Sequence, residues 1–167
     1  MRKGIENFVL NYDHDRDFNK INFDWNGKHG NQLIDNNDNF RADVVLYIVD
    51  NYDNVSEQID VGLLKDLYVE MAKSSKETWG VSRYYGNIAE FMLKKGRTKY
   101  VMDYLDGTCY GMDSYCGSAI INIDEELKKE LYNYCMTEFK KTNLDKDHLF
   151  YKVVKLRFGT EDLSKLK

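Results

Sequence analysis

Residues 60–80 read DVGLLKDLYVEMAKSSKETWG, and the reading of this stretch decides the fold. Leu64, Leu67, Tyr68, Met71, Ala72 and Trp79 recur at intervals of three and four, which gathers them on one face of an α-helix. Asp60 stands where an N-cap carboxylate accepts from the first free amides. Gly80 stands where a left-handed residue ends a helix. A helix is therefore expected from about Asp60 to Trp79, with its apolar face turned to a core.

The same period continues on the C-terminal side. Ser82 opens a segment with Tyr84, Tyr85, Ile88, Phe91 and Met92 as its apolar stripe. Lys94 and Lys95 complement its macrodipole and Gly96 closes it. Thr98 is placed to cap a short helix carrying Val101, Tyr104 and Leu105, ended by Gly107. The Gly-interrupted stretch 108–118 reads as a loop. Asn122 and Glu125 have capping-box spacing ahead of the stripe Ile123, Leu127, Leu131, Cys135 and Phe139. Asp145 is placed to cap a last long helix with Leu149, Val153 and Leu156, stopped by Gly159, and Thr160 opens a terminal turn.

On the N-terminal side, Asp35-Asn36-Asn37-Asp38-Asn39 breaks regular structure and supplies an N-cap for the segment that begins at Phe40. Phe40, Val44, Tyr47 and Ile48 share a helical face; the run Val44–Val49 also suits a buried strand, and helix is the favoured reading. Ahead of this cluster the pattern changes. Ile21, Phe23 and Trp25 alternate with Asn22, Asp24 and Asn26, the period of a half-buried strand. Phe8-Val9-Leu10 is a second extended candidate and residues 27–31 a turn. The expected architecture is mainly α: an irregular bundle of about five or six helices over 39–167, with an N-terminal β-hairpin or extended arm over 1–38, in one domain. Short connections favour antiparallel neighbours.

Composition excludes several functions. The chain has 167 residues, 13 Tyr, no Pro and a formal net charge of −4, a balance that disfavours a dedicated nucleic-acid binder. No apolar run approaches the ~18–20 residues that span a bilayer. The basic start at Arg2-Lys3 is succeeded by Glu6, Asn11 and Asp13, which break any secretory apolar region, so a cytoplasmic protein is expected. Cys109, Cys116 and Cys135 are then free thiols. The richness in Asn, Lys and Tyr fits an A/T-rich bacterial or phage coding sequence.

The residues that could carry chemistry are few. In Asp13-His14-Asp15-Arg16-Asp17 an extended backbone would let only Asp13, Asp15 and Asp17 converge on a cation, and a solvated turn is the simpler reading. Asp35–Asn39 opens like a calcium loop, but Phe40 and Leu46 stand where the turn glycine and bidentate glutamate belong. His29-Gly30-Asn31 has the look of a nuclease turn, with Asp24 and Asp35 as conceivable ligands. Cys109 and Cys116 lack the spacing of a zinc site, and Asp106 and Asp113 should raise their pKa values. His148 reads as a surface or capping residue. No cofactor and no metal site is expected.

One cluster is not accounted for by folding alone. Asp103, Asp106, Tyr110, Asp113 and Tyr115 lie along one helix end and the loop after it. Tyrosines offer contact area at low entropic cost, and carboxylates around them steer a basic partner. The leading expectation is a non-catalytic module that binds a basic protein, such as an inhibitor or immunity protein acting on a toxin or effector. The alternative is a metal-dependent, nuclease-like hydrolase using the N-terminal Asp and His residues.

Overall fold

The computed structural model describes residues 2–159; the turn expected at Thr160 lies outside them. The chain runs through α1 (Arg2–Leu10), α2 (His14–Asp17), α3 (Asp38–Val55), α4 (Val61–Thr78), α5 (Tyr85–Gly96), α6 (Val101–Thr108), α7 (Met112–Gly117), α8 (Glu125–Lys141) and α9 (Leu149–Phe158). Short 3-10 turns cover 18–20, 30–32 and 97–100. All the helices read from periodicity are present, and the run Val44–Val49 lies inside α3.

Helix α4 is the axis of the molecule and packs on α5, α6 and α7. Leu63, Leu64, Leu67, Tyr68, Met71 and Ala72 form its buried apolar face. Asp66 and Glu70 are buried as well, on the face that receives the N-terminal segment. The Tyr12 hydroxyl donates to Asp66 (2.7 Å), the Phe23 amide donates to Glu70 (2.8 Å), and His29 approaches Glu77 (3.4 Å). The segment thus climbs α4 from Tyr12 to His29, held by acids spaced along one helix.

That segment is not a β-hairpin. No strand occurs among the described residues; a single bridge pairs Trp25 with Asp35. Phe8-Val9-Leu10 belongs to α1, which buries Ile5, Phe8 and Val9. Around the Trp25–Asp35 bridge the Asn26 amide donates to the Ile34 carbonyl (3.0 Å) and the Asn36 amide to that of Asp24 (3.2 Å), while the other partners of the backbone at 21–26 are mostly side chains. Asn37 donates to the Asn19 and Asn22 carbonyls (3.0 Å each), and Arg41 to those of Ile21 (3.3 Å) and Asn22 (3.2 Å).

Several boundaries also differ from expectation. The left-handed residue ending α4 is Trp79 (φ 56°, ψ 41°), one place before the glycine. Asp124, not Asn122, caps α8 by accepting from the Leu127 amide at 2.7 Å. His148 caps α9, its Nδ1 accepting from the Phe150 amide at 3.2 Å, while Asp145 closes the preceding turn onto Asp147. Thr98 falls inside a 3-10 turn. The loop expected over 108–118 contains α7, because Ser114 caps it from within: its hydroxyl accepts from the Gly111 amide (3.0 Å).

The core centres on stacked tyrosines. Tyr68 lies on Tyr85 with ring centroids 4.4 Å apart and 12° between planes, and Tyr104 lies beyond at 5.9 Å from Tyr68. The Tyr68 hydroxyl bonds Thr108 at 2.9 Å and Tyr104 donates to the Ser118 carbonyl at 3.2 Å. Among the described residues the buried Tyr85 hydroxyl has no hydrogen-bond partner. An unmade bond in a dry site costs about 1–3 kcal/mol. Tyr85→Phe is therefore expected to leave the protein as stable as before or more stable by about 1 kcal/mol, read as a rise in the urea midpoint. A clear loss of stability would show that this hydroxyl has a partner in solution.

Candidate functional site

The five residues singled out in the sequence lie on α6, α7 and the turn between them. Asp103 and Asp106 are one helical turn apart, Asp103 half-buried and Asp106 exposed. Burial raises the pKa of both carboxyls; Lys65 counteracts this at Asp103, whereas Asp103 adds to it at Asp106. Tyr110 is exposed, with the Lys76 ammonium 5.7 Å from its ring. Tyr115 is half-buried under Arg157, whose guanidinium sits 5.2 Å from the ring and donates to the Tyr115 carbonyl at 3.2 Å. Asp113 is half-buried on α7. Three of the five thus have a cation beside them, and Asp106 and Asp113 are left as the outward carboxylates.

Around them stand side chains that periodicity placed elsewhere or passed over. Trp79 is 90% exposed, Ile120 87% and Met112 77%. They belong to one end of the bundle. Lys76, one turn before Trp79, covers Tyr110, and Val81 closes on Gly117 of α7 so tightly that a β-carbon there would lie 2.6 Å from Val81 Cγ1. The Ile120 carbonyl and Gly117 in turn press on Gly86, where a β-carbon would come within 2.8 Å and 3.0 Å of their oxygens. The helical period assigns Trp79 to the core face. The left-handed turn at Trp79 itself rotates the indole away from that face, and no sequence signal marks the turn because a glycine comes immediately after it.

Cys109 lies beside this surface. Burial, reinforced by Asp106, pushes its thiol up to about 11, and burial pushes Cys135 up to about 12. Both are thiols, not thiolates, at neutral pH.

The N-terminal Asp and His residues separate into local roles. Asp13 caps α2 by accepting from the Arg16 amide at 3.0 Å. Asp17 is buried and paired with Arg16 (2.6 Å) and Lys20 (2.8 Å), and the Arg16 guanidinium holds its carboxyl well below the usual carboxylate range. His14 meets one carboxylate, with Nδ1 2.8 Å from Asp66 Oδ2. The same oxygen accepts from Tyr12, and Lys65 takes the other. Burial and the Asp66 carboxylate raise the pKa of Tyr12 strongly. This group lines a cleft of about 360 Å³ together with Asp60, Gly62 and Tyr100. Spacing could not have found Asp66 or Tyr12, since they are 54 residues apart.

Asp35 and Asp38 both turn to Arg41, beside a cavity of about 630 Å³ bounded by Val45, Met71, Ser74 and Val81. The Asp24 amide donates to Asp35 (3.2 Å), but its carboxylate accepts from Asn36 (2.7 Å) and His29 turns to Glu77. Among the described residues no three His, Cys, Asp or Glu side chains converge as metal ligands do, and no helix is long and apolar enough to cross a membrane.

No protein-family model matches the chain, and neither a characterised protein nor a solved structure shows significant similarity to it.

Proposed function

We propose that this chain is a non-catalytic protein-binding module, of the inhibitor or immunity kind, whose docking surface is the end of the bundle built by α6, α7 and the C-terminus of α4. The carrying observation is the exposure of Trp79, Met112 and Ile120 on α7 and the segments that pack around it, the stretch of the fold that also carries Asp106, Tyr110 and Asp113. Single exposed apolar residues are ordinary, but large ones gathered at one end are characteristic of interaction surfaces. Tryptophan and tyrosine are enriched among the residues that dominate interface energy. Asp106 and Asp113 favour a basic partner, since charge of opposite sign speeds encounter and sets orientation.

Capture from the native host tests this reading, using the full chain and two variants. One is Trp79→Ser with Met112→Ser, and the other Asp106→Lys with Asp113→Lys. A partner held by the wild type should be lost with the first variant, because burying each of these side chains is worth about 1.5–3 kcal/mol. It should bind the second at least about tenfold more weakly, mainly through a slower on-rate that salt abolishes. A partner held equally by all three sinks the assignment of this surface.

One observation favours a second reading, a hydrolase using His14. Asp66 holds Nδ1 of the ring, which leaves Nε2 directed away from its partner in a cleft, the arrangement of an oriented general base. Thermal shifts with Mn, Zn or Mg that disappear in His14→Ala would favour it over the binding module.

A further inference from the structure

We propose that this chain binds a second copy of itself, the exposed face of α9 seating on the exposed face of α3. This surface is separate from the one assigned above and does not rest on that assignment.

Residues 42–64 contain Asp43, Asp50, Asp53, Glu57 and Asp60 and not one Lys or Arg. Within α3, Asp43, Leu46, Asp50 and Asp53 recur at intervals of three and four, so they share one stripe about 15 Å long. All four are exposed, Leu46 at 39%. Among the described residues none of these three carboxylates has an ion-pair partner. The core does not need this stripe, since α3 buries Val44, Val45, Ile48 and Val55 on its other side.

Helix α9 carries the opposite pattern. It buries Val153, Val154 and Phe158 and leaves Leu149 at 45% and Leu156 at 58% exposure, with Lys152 and Lys155 exposed between them. Lys152 reaches Asp147 only at 3.8 Å, and Lys155 lies over the Tyr151 ring. Lys140, Lys141 and Lys146 are exposed on the α8–α9 hairpin, Lys141 paired with Glu138 (2.6 Å), together with the exposed Asp145 and Asp147 of the connecting turn. An exposed leucine pair set among lysines is an unpartnered helix face. The chain's own acidic stripe with a leucine in it is its complement in charge and in apolar character.

The two faces cannot satisfy each other within one molecule. Helix α3 packs on α1 and α5, whereas α9 packs on α8 and α6. Between two molecules Leu46 would seat between Leu149 and Leu156, with Lys152 and Lys155 against Asp50 and Asp53. The contact pairs unlike faces, so a twofold dimer makes it twice where both faces of a copy reach the same partner, and a head-to-tail contact makes it once. In the head-to-tail case one acidic and one basic face stay free and association continues unless a ring closes; in the twofold case it stops at two copies. Two short helix faces bury less than a standard interface, so the contact is weak and depends on charge.

Sedimentation velocity on the full chain tests this at ionic strengths of about 0.02 M and about 0.5 M, where screening lengths differ several-fold. The wild type should sediment faster with rising concentration at low salt and as a monomer at high salt. Asp50→Lys/Asp53→Lys and Lys152→Glu/Lys155→Glu should each stay monomeric with unchanged circular dichroism. Mixing the two variants, or placing all four substitutions in one chain, should restore association, since both faces are then complementary again. Two outcomes overturn the proposal: association indifferent to either charge reversal, or a monomeric wild type at low salt, including one that instead binds phosphatidylserine vesicles through Lys152 and Lys155.

Discussion

Arg41→Ala is expected to lower stability by about 3–5 kcal/mol, the cost of removing one partner from a buried ion pair. The Arg41 side chain is 3% exposed and so is that of Asp35, its principal carboxylate. Asp35 retains the amides of Asp24 (3.2 Å) and Asn37 (3.1 Å) but loses the cation that pairs with it among the described residues. The carbonyls of Ile21 and Asn22 lose a donor at the same time. Urea unfolding gives the loss. Arg41→Met combined with Asp35→Asn should recover part of it, because no uncompensated charge then remains buried, and the double-mutant cycle isolates that coupling. A loss below about 1 kcal/mol would mean that the segment is held by the fully buried Ile21 side chain, with the ion pair a bystander.

This dependence explains which parts of the fold were legible in the sequence. The helices from α3 to α9, apart from α7, announce themselves because one face of each meets the core, and burial imposes a period on residue type. Leu127, Leu131, Cys135 and Phe139 of α8 are all buried at the positions their spacing dictates. Residues 11–37 carry no such signal. Their backbone groups are satisfied partly by short local turns, partly by Asp35 and Asn37 within the segment, and partly by Glu70 and Arg41, and side chains arriving from distant helices leave no periodic trace. Alternation at Ile21, Phe23 and Trp25 therefore imitates a strand, although Ile21 alone of the three is buried. Short helices escape detection for a related reason. The six residues of α7 are too few to show a period, and the capping Ser114 sits inside the helix instead of ahead of it.

The candidate surface was half legible. Asp103, Asp106, Tyr110, Asp113 and Tyr115 do lie on one stretch of chain, but charge read along a chain ignores what approaches from other elements. Lys76 of α4 and Arg157 of α9 stand over the two tyrosines, and neither is near them in sequence. Apolar exposure, which now carries the assignment, depends on the turn at Trp79 and on the close approach of α7 to the segment after α4. Both are tertiary facts.

Asp66→Ala should cost about 3 kcal/mol and exceed the effect of any single substitution among its partners. The Asp66 side chain is 3% exposed and serves Tyr12, His14 and Lys65 together, so its removal leaves a half-buried phenol without that acceptor and frees the start of the segment that climbs α4. Asp66→Asn keeps one acceptor oxygen but turns an amide toward donors, and should lose about half as much. His14→Ala should cost under about 1 kcal/mol, because the ring is 54% exposed and a polar contact open to water contributes little. That ordering separates the two roles open to this group. An anchoring carboxylate makes Asp66 far more important to folding than His14, with the segment's loss visible as faster proteolysis between Tyr12 and His29. Equal, small losses from both variants would point away from anchoring: the fold would then be holding Asp66 for the sake of the imidazole, and the hydrolase reading would gain what the binding module loses.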